Sequence, residues 1–227
     1  MKNLLSSGRR FFLLVCCRHF ALYFNHMAVI PLSSSQLKPA AAVLARSFYS
    51  DPFFTFTLPD ESRRARLLPW LFERILRYAL LYGQVYTTPS LEGVAVWLSL
   101  KKITTNWFGA IRTGLFLLPL KLNRREAWRN MHLERLADRL HAEAVTGPHW
   151  YLLMLGVEPS LQGRGVGSLL LQPVLEQADR HGLACYLETN NEKNLSFYER
   201  HGFSVKSQGQ ALENAPFTWA MLREPAK

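Results

Sequence analysis

Gly163, Gly165 and Gly167 stand at alternate positions in Gln162-Gly163-Arg164-Gly165-Val166-Gly167, directly before Ser168-Leu169-Leu170-Leu171. Residues without a Cβ let the backbone turn its N–H groups toward a ligand. If a helix opens here, the free N–H groups of its first turn and the positive end of its dipole face the same place. That arrangement suits an anion such as a pyrophosphate, and Arg164 adds a cation. The same glycines also fit a turn that merely enters a helix. Two other phosphate motifs fit less well. A Walker loop needs Lys-Ser/Thr after its last glycine, where Ser168-Leu169 stand. A dinucleotide fingerprint needs a third glycine where Leu170 falls.

Other residues could move protons. Tyr198 keeps its phenol proton at neutral pH and can donate it. Taken alone, it reads as an aromatic packing a short helix onto a sheet. Glu188 lies in a strand-like run, where a carboxylate faces either a cleft or the outer side. His149 and Glu143 are weaker candidates for a base. Cys185 reads as a small buried strand residue rather than a nucleophile. His181 and His201 precede glycines at helix ends, where a cation suits the dipole. Trp97, Trp107 and Trp128 read as aromatic core before pocket wall. Cys16, Cys17 and Cys185 make no disulfide framework, and no Cys/His cluster has zinc spacing, so no metal is expected.

The elements that would position these residues follow from periodicity. Ser33 to Ser35 offer caps for a helix from Gln36 to Phe48, which Asp51-Pro52 ends. Asp60 or Ser62 caps a helix to Leu81, with Leu67, Leu68, Leu71, Phe72, Ile75, Leu76 and Ala79 as its apolar stripe. Arg63, Arg64, Arg66, Arg74 and Arg77 keep its other face wet, and Gly83 stops it. Strands at Gln84–Thr88 and Glu92–Leu100 join through Pro89-Ser90. Residues 101–123 fit either a short helix covering a pocket or a loose insert. Asn123 caps a helix from Arg124 to Glu143. Then come a strand at Trp150–Val157, the glycine loop, a helix at Ser168–Arg180 and a strand at Leu183–Thr189. A short helix at Leu195–Arg200 and strands at Phe203–Lys206 and Phe217–Leu222 close the chain. This order predicts an α/β fold.

The loop, the strand ending in Gly156-Val157, Pro159, Leu187-Glu188-Thr189, Asn194 and Phe197-Tyr198-Glu199-Arg200-His201-Gly202-Phe203 together resemble the GNAT superfamily of acetyltransferases. The likeness is at motif level over residues 149–206 and architectural before that. Within the superfamily, residues 150–222 look most like the puromycin N-acetyltransferase group. Trp150, Leu187-Glu188-Thr189, Phe197 to Arg200 and Thr218-Trp219-x-Met221 carry that narrower likeness. The resemblance implies a mixed, mostly antiparallel sheet splayed between two central parallel strands, with helices on both faces and acetyl-CoA in the splay. It implies that backbone groups of Leu155 and Val157 meet the pantetheine arm and acetyl carbonyl. Gln162, Gly163, Arg164, Gly165, Val166 and Gly167 would hold the pyrophosphate, and Asn194 would lie near the cofactor arm. It implies Tyr198 as general acid toward the departing thiol. It also favours direct attack in a ternary complex, and no Cys lies in the loop to carry the acyl group. Glu188 is the first candidate for general base, with His149, Glu143 or a water chain behind it. Tyr49 and Asp51 fall where this family often shapes its acceptor site. The expected acceptor is a primary amine of a small molecule. The alternatives are a protein lysine or N-terminal amine, and a non-catalytic acyl-CoA-binding module.

The net charge of +10 is unevenly spread. Residues 1–50 and 101–139 each contribute +6, and residues 140–227 come to −2. The basic character thus lies outside the loop and strands that carry the chemistry. No nucleic-acid reader motif accompanies it, so no nucleic-acid partner is expected. Residues 1–26 form a basic and apolar N-terminal extension whose apolar run, Phe11 to Cys17, is far short of a membrane span. It fits an upstream extension or a targeting segment, and membrane contact is expected only if it is retained. Residues 27–227 read as one domain with an insert at 101–147. The cysteine usage points to a cytoplasmic protein, as monomer or homodimer.

Overall fold

The computed structural model describes residues 28–99 and 107–226. The expected extension at 1–26 and the first part of the insert lie outside the described residues. One sheet gathers strands from both halves of the chain. Strand β1 (Ile30–Pro31) leads into helix α1 (Leu37–Ser47), a short α2 (Pro52–Thr57) and a long α3 (Glu61–Tyr82). The hairpin of β2 (Gly83–Thr87) and β3 (Gly93–Ser99) follows. Helices α4 (Trp107–Thr113), α5 (Leu118–Lys121) and α6 (Arg124–Ala144) then return the chain to β4 (His149–Val157). Helix α7 (Val166–His181), β5 (Ala184–Thr189), α8 (Leu195–Glu199), β6 (Ser204–Gln210) and β7 (Phe217–Arg223) complete it. The spatial order is β1-β2-β3-β4-β5-β7-β6. Every neighbouring pair is antiparallel except β4–β5. This is the mixed sheet, parting at its one parallel pair, that the family resemblance implies.

Strand β3, Gly93-Val94-Ala95-Val96-Trp97-Leu98-Ser99, shows why the sheet sits between layers. It is apolar almost throughout, as a strand covered on both faces must be. Val94, Val96 and Leu98 pack with Leu44 of α1 and Leu68, Phe72 and Leu76 of α3. Ala95 and Trp97 point the other way, to Leu170, Leu171 and Val174 of α7. In the other half of the sheet, Leu136 and Leu140 of α6 pack on Tyr186, Ala220 and Leu222. Tyr151 of β4 touches both the α1–α3 cluster and the α6 cluster. So α1 and α3 cover one half of a face and α6 covers the other, with β4 at the seam.

The parallel pairing at that seam is short. It joins His149–Tyr151 to Ala184–Tyr186 and stops. Beyond it β4 runs on to Val157, held by β3 alone, and β5 runs on to Thr189, held by β7. The two strands part, and a cleft opens between them.

Several elements differ from the sequence reading. Asp51-Pro52 does more than end a helix. The Asp51 carboxylate accepts from Phe53 N at 2.9 Å and caps α2, with Pro52 in the first turn, where its missing N–H costs nothing. Arg64 is not on a wet face. It is 4% exposed, donates to the Leu58 carbonyl at 2.7 Å and lies over the Tyr49 ring. Strand β6 is longer than expected, because β7 inserts between β5 and β6 and gives it a partner along its length. Helix α7 starts at Val166, two residues before the expected start. Among the described residues no helix is long and apolar enough to cross a membrane.

Candidate active site

The glycine loop has the geometry its composition suggests. Gly163 and Gly165 have φ of +75° and +85°, a region that L side chains enter at a cost of roughly 1–2 kcal/mol. A Cβ at either would touch nothing within 4 Å. The demand for glycine there is therefore conformational, and the space beside the loop stays open. Gly167 answers a different need. Its Cβ would stand 3.2 Å from the Phe197 ring, so its absence lets α8 sit against the start of α7. The first α-helical hydrogen bond runs from Leu169 N to the Gly165 carbonyl at 3.0 Å. The N–H groups ahead of Leu169 have no helical partner, and Gly165 supplies no side-chain cap.

The end of β4 presents backbone to the cleft. Glu158 N donates to the Glu92 carbonyl, and Val157 lies opposite Gly93. In an antiparallel ladder the pairs alternate between bonded and non-bonded. Glu158–Glu92 is a bonded pair, so Val157–Gly93 and Leu155–Ala95 are not. Leu155 and Val157 therefore turn their N–H and C=O groups away from β3, toward the gap left by β5. Gln162 Nε2 donates to the Val157 carbonyl at 3.2 Å, which leaves the Val157 N–H facing the cleft.

A cavity of about 290 Å³ lies over the splay. It brings together Leu155 from β4, Glu188 from β5, and Asn194 and Tyr198 at the start and middle of the α8 segment. These residues are 43 positions apart in sequence at the extremes, and only the parting of β4 and β5 lets them share a space. Asp51 also lines it, together with Phe53, Phe54, Leu71, Ile75, Leu115 and Leu118 on one side. Asn130, Leu133, Glu134 and Ala137 of α6 line the other. Among the described residues, no lining side chain is Lys, Arg or His.

Burial sets the protonation of the acids and the phenol. Tyr198 is 7% exposed. Burial, reinforced by the Asp51 charge, raises its pKa above the ordinary phenol value, so it stays protonated. Its hydroxyl makes no hydrogen bond among the described residues and is free to donate into the cavity. Burial lifts Glu188 to about 7, against the opposing pull of hydrogen bonds from Tyr151 and Tyr186. The Tyr186 hydroxyl donates to Glu188 Oε1 at 2.8 Å. Burial likewise lifts Asp51 to about 6, against the backbone N–H groups of Phe53 and Phe54.

The other sequence candidates fall elsewhere. His149 is buried outside the cavity lining, with its ring nitrogens on His141 Nε2 and the Gly147 carbonyl, each at 2.8 Å. Glu143 is exposed on the last turn of α6, near Arg139 at 3.9 Å. Tyr49 donates to the Glu61 carbonyl and stacks with Arg64, away from the cavity. Cys185 is fully buried, and burial pushes its thiol up to about 12. Trp97 is core, and Trp128 is half exposed; the side chain of Trp107 lies outside the described residues. Sequence reasoning missed the polar side of α6. Asn130, Glu134, Ala137 and His141 recur at helical spacing, one face turned to the seam, and that spacing was the available signal.

Comparison with known proteins agrees with this geometry. Residues 128–203 match the acetyltransferase (GNAT) family. An uncharacterised N-acetyltransferase of Schizosaccharomyces pombe is 29% identical over 88% of this chain and 84% of its own length. A Corynebacterium glutamicum structure, described as a histone acetyltransferase and related acetyltransferase, superposes with a TM-score of 0.60 at 22% identity, covering 88% of this chain and 97% of that one. Arylalkylamine N-acetyltransferase 2 of Aedes aegypti has a TM-score of 0.54 at 14% identity, over 88% of this chain and 99% of its own. At such identities the two structures speak for the fold. The family match falls on the segment that holds the loop, the splay and Tyr198, so this chain is similar there to GNAT-superfamily acetyltransferases, and with the N-acetyltransferase relative this marks an acetyl-CoA-dependent acyltransferase.

Proposed function

We propose that the chain moves the acetyl group of acetyl-CoA onto the primary amine of a small molecule with an apolar body, by direct attack. The observation that carries this is the cavity. Asp51, Glu134 and Glu188 are its ionisable carboxyl groups, it lacks any lining cation among the described residues, and the rest of its wall is largely aromatic and aliphatic. An amine arrives as a cation and needs acids to receive it. A small apolar body gains about 0.8 kcal/mol for each methylene it buries. Within the superfamily we place residues 150–222 nearest the puromycin N-acetyltransferase group, on the strength of the Trp150, Leu187-Glu188-Thr189 and Phe197-to-Arg200 matches.

The residues fit acetyl-CoA. The N–H groups at the end of the Gln162 to Gly167 loop have no helical partner, and Gly163 and Gly165 stand beside open space, an arrangement suited to the pyrophosphate. The N–H groups of Leu155 and Val157 face the cleft, suited to the pantetheine arm and the acetyl carbonyl, and Asn194 stands beside them. When bound, acetyl-CoA supplies an activated acyl group. The chain's own residues do the rest. Glu188, poised near neutrality, takes the proton that the ammonium must lose before it can attack. Backbone N–H groups at the end of β4 stabilise the oxygen on which charge develops. Tyr198, kept as a phenol by burial, gives its proton to the departing sulfur.

A panel of primary amines tests the acceptor class. It runs from short alkylamines through 2-phenylethylamine, with spermidine and a lysine peptide for contrast. We expect kcat/KM to rise about fourfold for each methylene or equivalent ring carbon buried, and the polyamine and peptide to be poor acceptors. Preference for the lysine peptide would point instead to a protein acetyltransferase.

A further inference from the structure

We propose that His141 is the proton relay that returns Glu188 to its carboxylate form after each turnover, an inference that rests on the reading of Glu188 as the base. The overall reaction consumes an ammonium and a thioester and yields an amide, a thiol and one proton. The nitrogen gives up two protons, one replaces the acyl group on sulfur, and the other must leave the protein. Glu188 is a poor place from which to lose it. Its side chain is 10% exposed, whereas that of His141 is 20% exposed. The ring of His141 lies flat on the Tyr186 ring, with centroids 4.0 Å apart, and its Nδ1 stands 4.0 Å from Glu188 Oε1. At 4.0 Å the two groups are not hydrogen-bonded, so transfer requires the His141 side chain to approach Glu188 or one bridging water.

Hydrogen-bond arithmetic fixes which nitrogen of His141 can accept. A carbonyl oxygen only accepts, so His149 Nδ1, at 2.8 Å from the Gly147 carbonyl, carries a hydrogen. Burial lowers the pKa of His149, so the ring is neutral and its Nε2 bears a lone pair. That lone pair faces His141 Nε2 at 2.8 Å, so His141 Nε2 carries the hydrogen between them. Burial, with the neighbouring His149, lowers the pKa of His141 to about 4, so it too is neutral. Its remaining lone pair is on Nδ1 and points toward Glu188. The sequence of events balances. The ammonium gives one proton to the Glu188 carboxylate, and the second proton lost by the nitrogen replaces the one that Tyr198 gave to sulfur. The Glu188 carboxyl passes it to His141 Nδ1, leaving carboxylate and imidazolium. The imidazolium then releases it to solvent. The groups that face this pair are Glu134 and Asp138 from α6, His149 and Tyr151 from β4, and Tyr186 from β5. None is a cation in the resting state, so nothing stores the proton at the site.

The geometry also explains the paired histidines. With His149 replaced, His141 could flip its tautomer and turn an N–H toward Glu188, which blocks the acceptor position. His149 is thus a positioning residue for the relay.

The test uses the full chain and steady-state kinetics at saturating acetyl-CoA and amine. In His141→Gln the amide can still meet His149 but offers no basic nitrogen. His141→Ala leaves a gap that imidazole can fill. We expect kcat to fall about tenfold or more in both, KM for acetyl-CoA to stay unchanged, and added imidazole to restore His141→Ala in proportion to its concentration. Wild-type kcat in both variants across the pH range overturns the relay. A loss that imidazole does not restore overturns it too, because it marks a packing role. Should either variant fail to fold, His149→Gln is the second probe. It should lower kcat by a smaller factor, and unchanged kcat there contradicts the tautomer argument. Glu188→Gln separates the two readings. If it leaves the acidic limb of the pH profile in place, the base assignment itself falls. If it removes that limb while the His141 variants behave as wild type, only the relay falls.

Discussion

Tyr198 and Glu188 owe their assigned chemistry to burial, which can be measured separately from turnover. Tyr198→Phe keeps the ring that packs against Phe197 and Phe203 and removes only a hydroxyl with no hydrogen-bond partner among the described residues. Tm should therefore hold and acetyl-CoA affinity should persist, while kcat falls about a hundredfold. Unchanged kcat would return Tyr198 to a packing role. Glu188 must be a carboxylate to take a proton, so kcat should rise with pH through about 7, and Glu188→Gln should abolish that limb. The same shift affects stability. The folded state holds the Glu188 proton more tightly than the unfolded chain does, so the stabilisation from this group is complete at acid pH and fades as pH rises toward 7. Glu188→Gln should accordingly raise Tm at pH 8, by the equivalent of roughly 1–3 kcal/mol, and leave it nearly unchanged at pH 4. At this scale the sequence names Tyr198 and Glu188 through their place in a motif. The resemblance also pointed to Asp51 at the acceptor site, where it does line the cavity, but the sequence could not show that His149 lies outside the lining, because that depends on side-chain direction within a strand of correct type.

At the scale of elements, the loop and the α6 face do different jobs. Gly165→Ala places a Cβ in open space at a positive φ. The backbone should relax away from it, and acetyl-CoA affinity measured by calorimetry should weaken at least several-fold, with Tm lowered by a few degrees at most. Gly167→Ala instead pushes on the Phe197 ring and hence on α8, so kcat should suffer more than cofactor affinity. Equal effects of the two substitutions on affinity would show that the loop acts as a single turn. The loop was legible because its glycines and the Leu run after it sit within a few residues of each other. Helix α6 was legible as a helix, from Asn123 and Glu126, which form a capping box. Its role as a cavity wall was not, since Asn130, Leu133, Glu134 and Ala137 gain meaning only from what the sheet places opposite them. Helix α2 was hidden because Asp-Pro serves equally to stop one helix and to start the next. Arg64 was misread because its partner, the Leu58 carbonyl, lies in the turn before α3, where the stripe pattern carries no information.

The molecule as a whole works through one seam. Two helical halves cover one face of the sheet, two parallel strands part beneath them, and Leu155, Glu188, Asn194 and Tyr198, to which we assign binding and proton transfer, line the cavity there. The Arg63–Glu126 ion pair, with contacts of 2.9 and 2.8 Å, ties α3 to the start of α6 across that seam. Glu126 is 3% exposed while Arg63 reaches solvent and keeps the Lys121 carbonyl, so Glu126→Ala should cost about 1 kcal/mol, mainly through the lost capping box, read as a lower denaturant midpoint with KM for the amine raised. The near-continuous apolar run of β3 and the order of the last six elements made the fold readable from the sequence. The depth of the splay was not readable, because it depends on where strand pairing stops. The most direct test of the central claim is thiol release from acetyl-CoA by the full chain, with and without 2-phenylethylamine. We predict release that depends on the amine and saturates in both substrates, with N-acetylated amine as the product. Binding of acetyl-CoA with no amine-dependent release, from this amine or any in the panel, would contradict the account and leave a protein that holds the cofactor without using it.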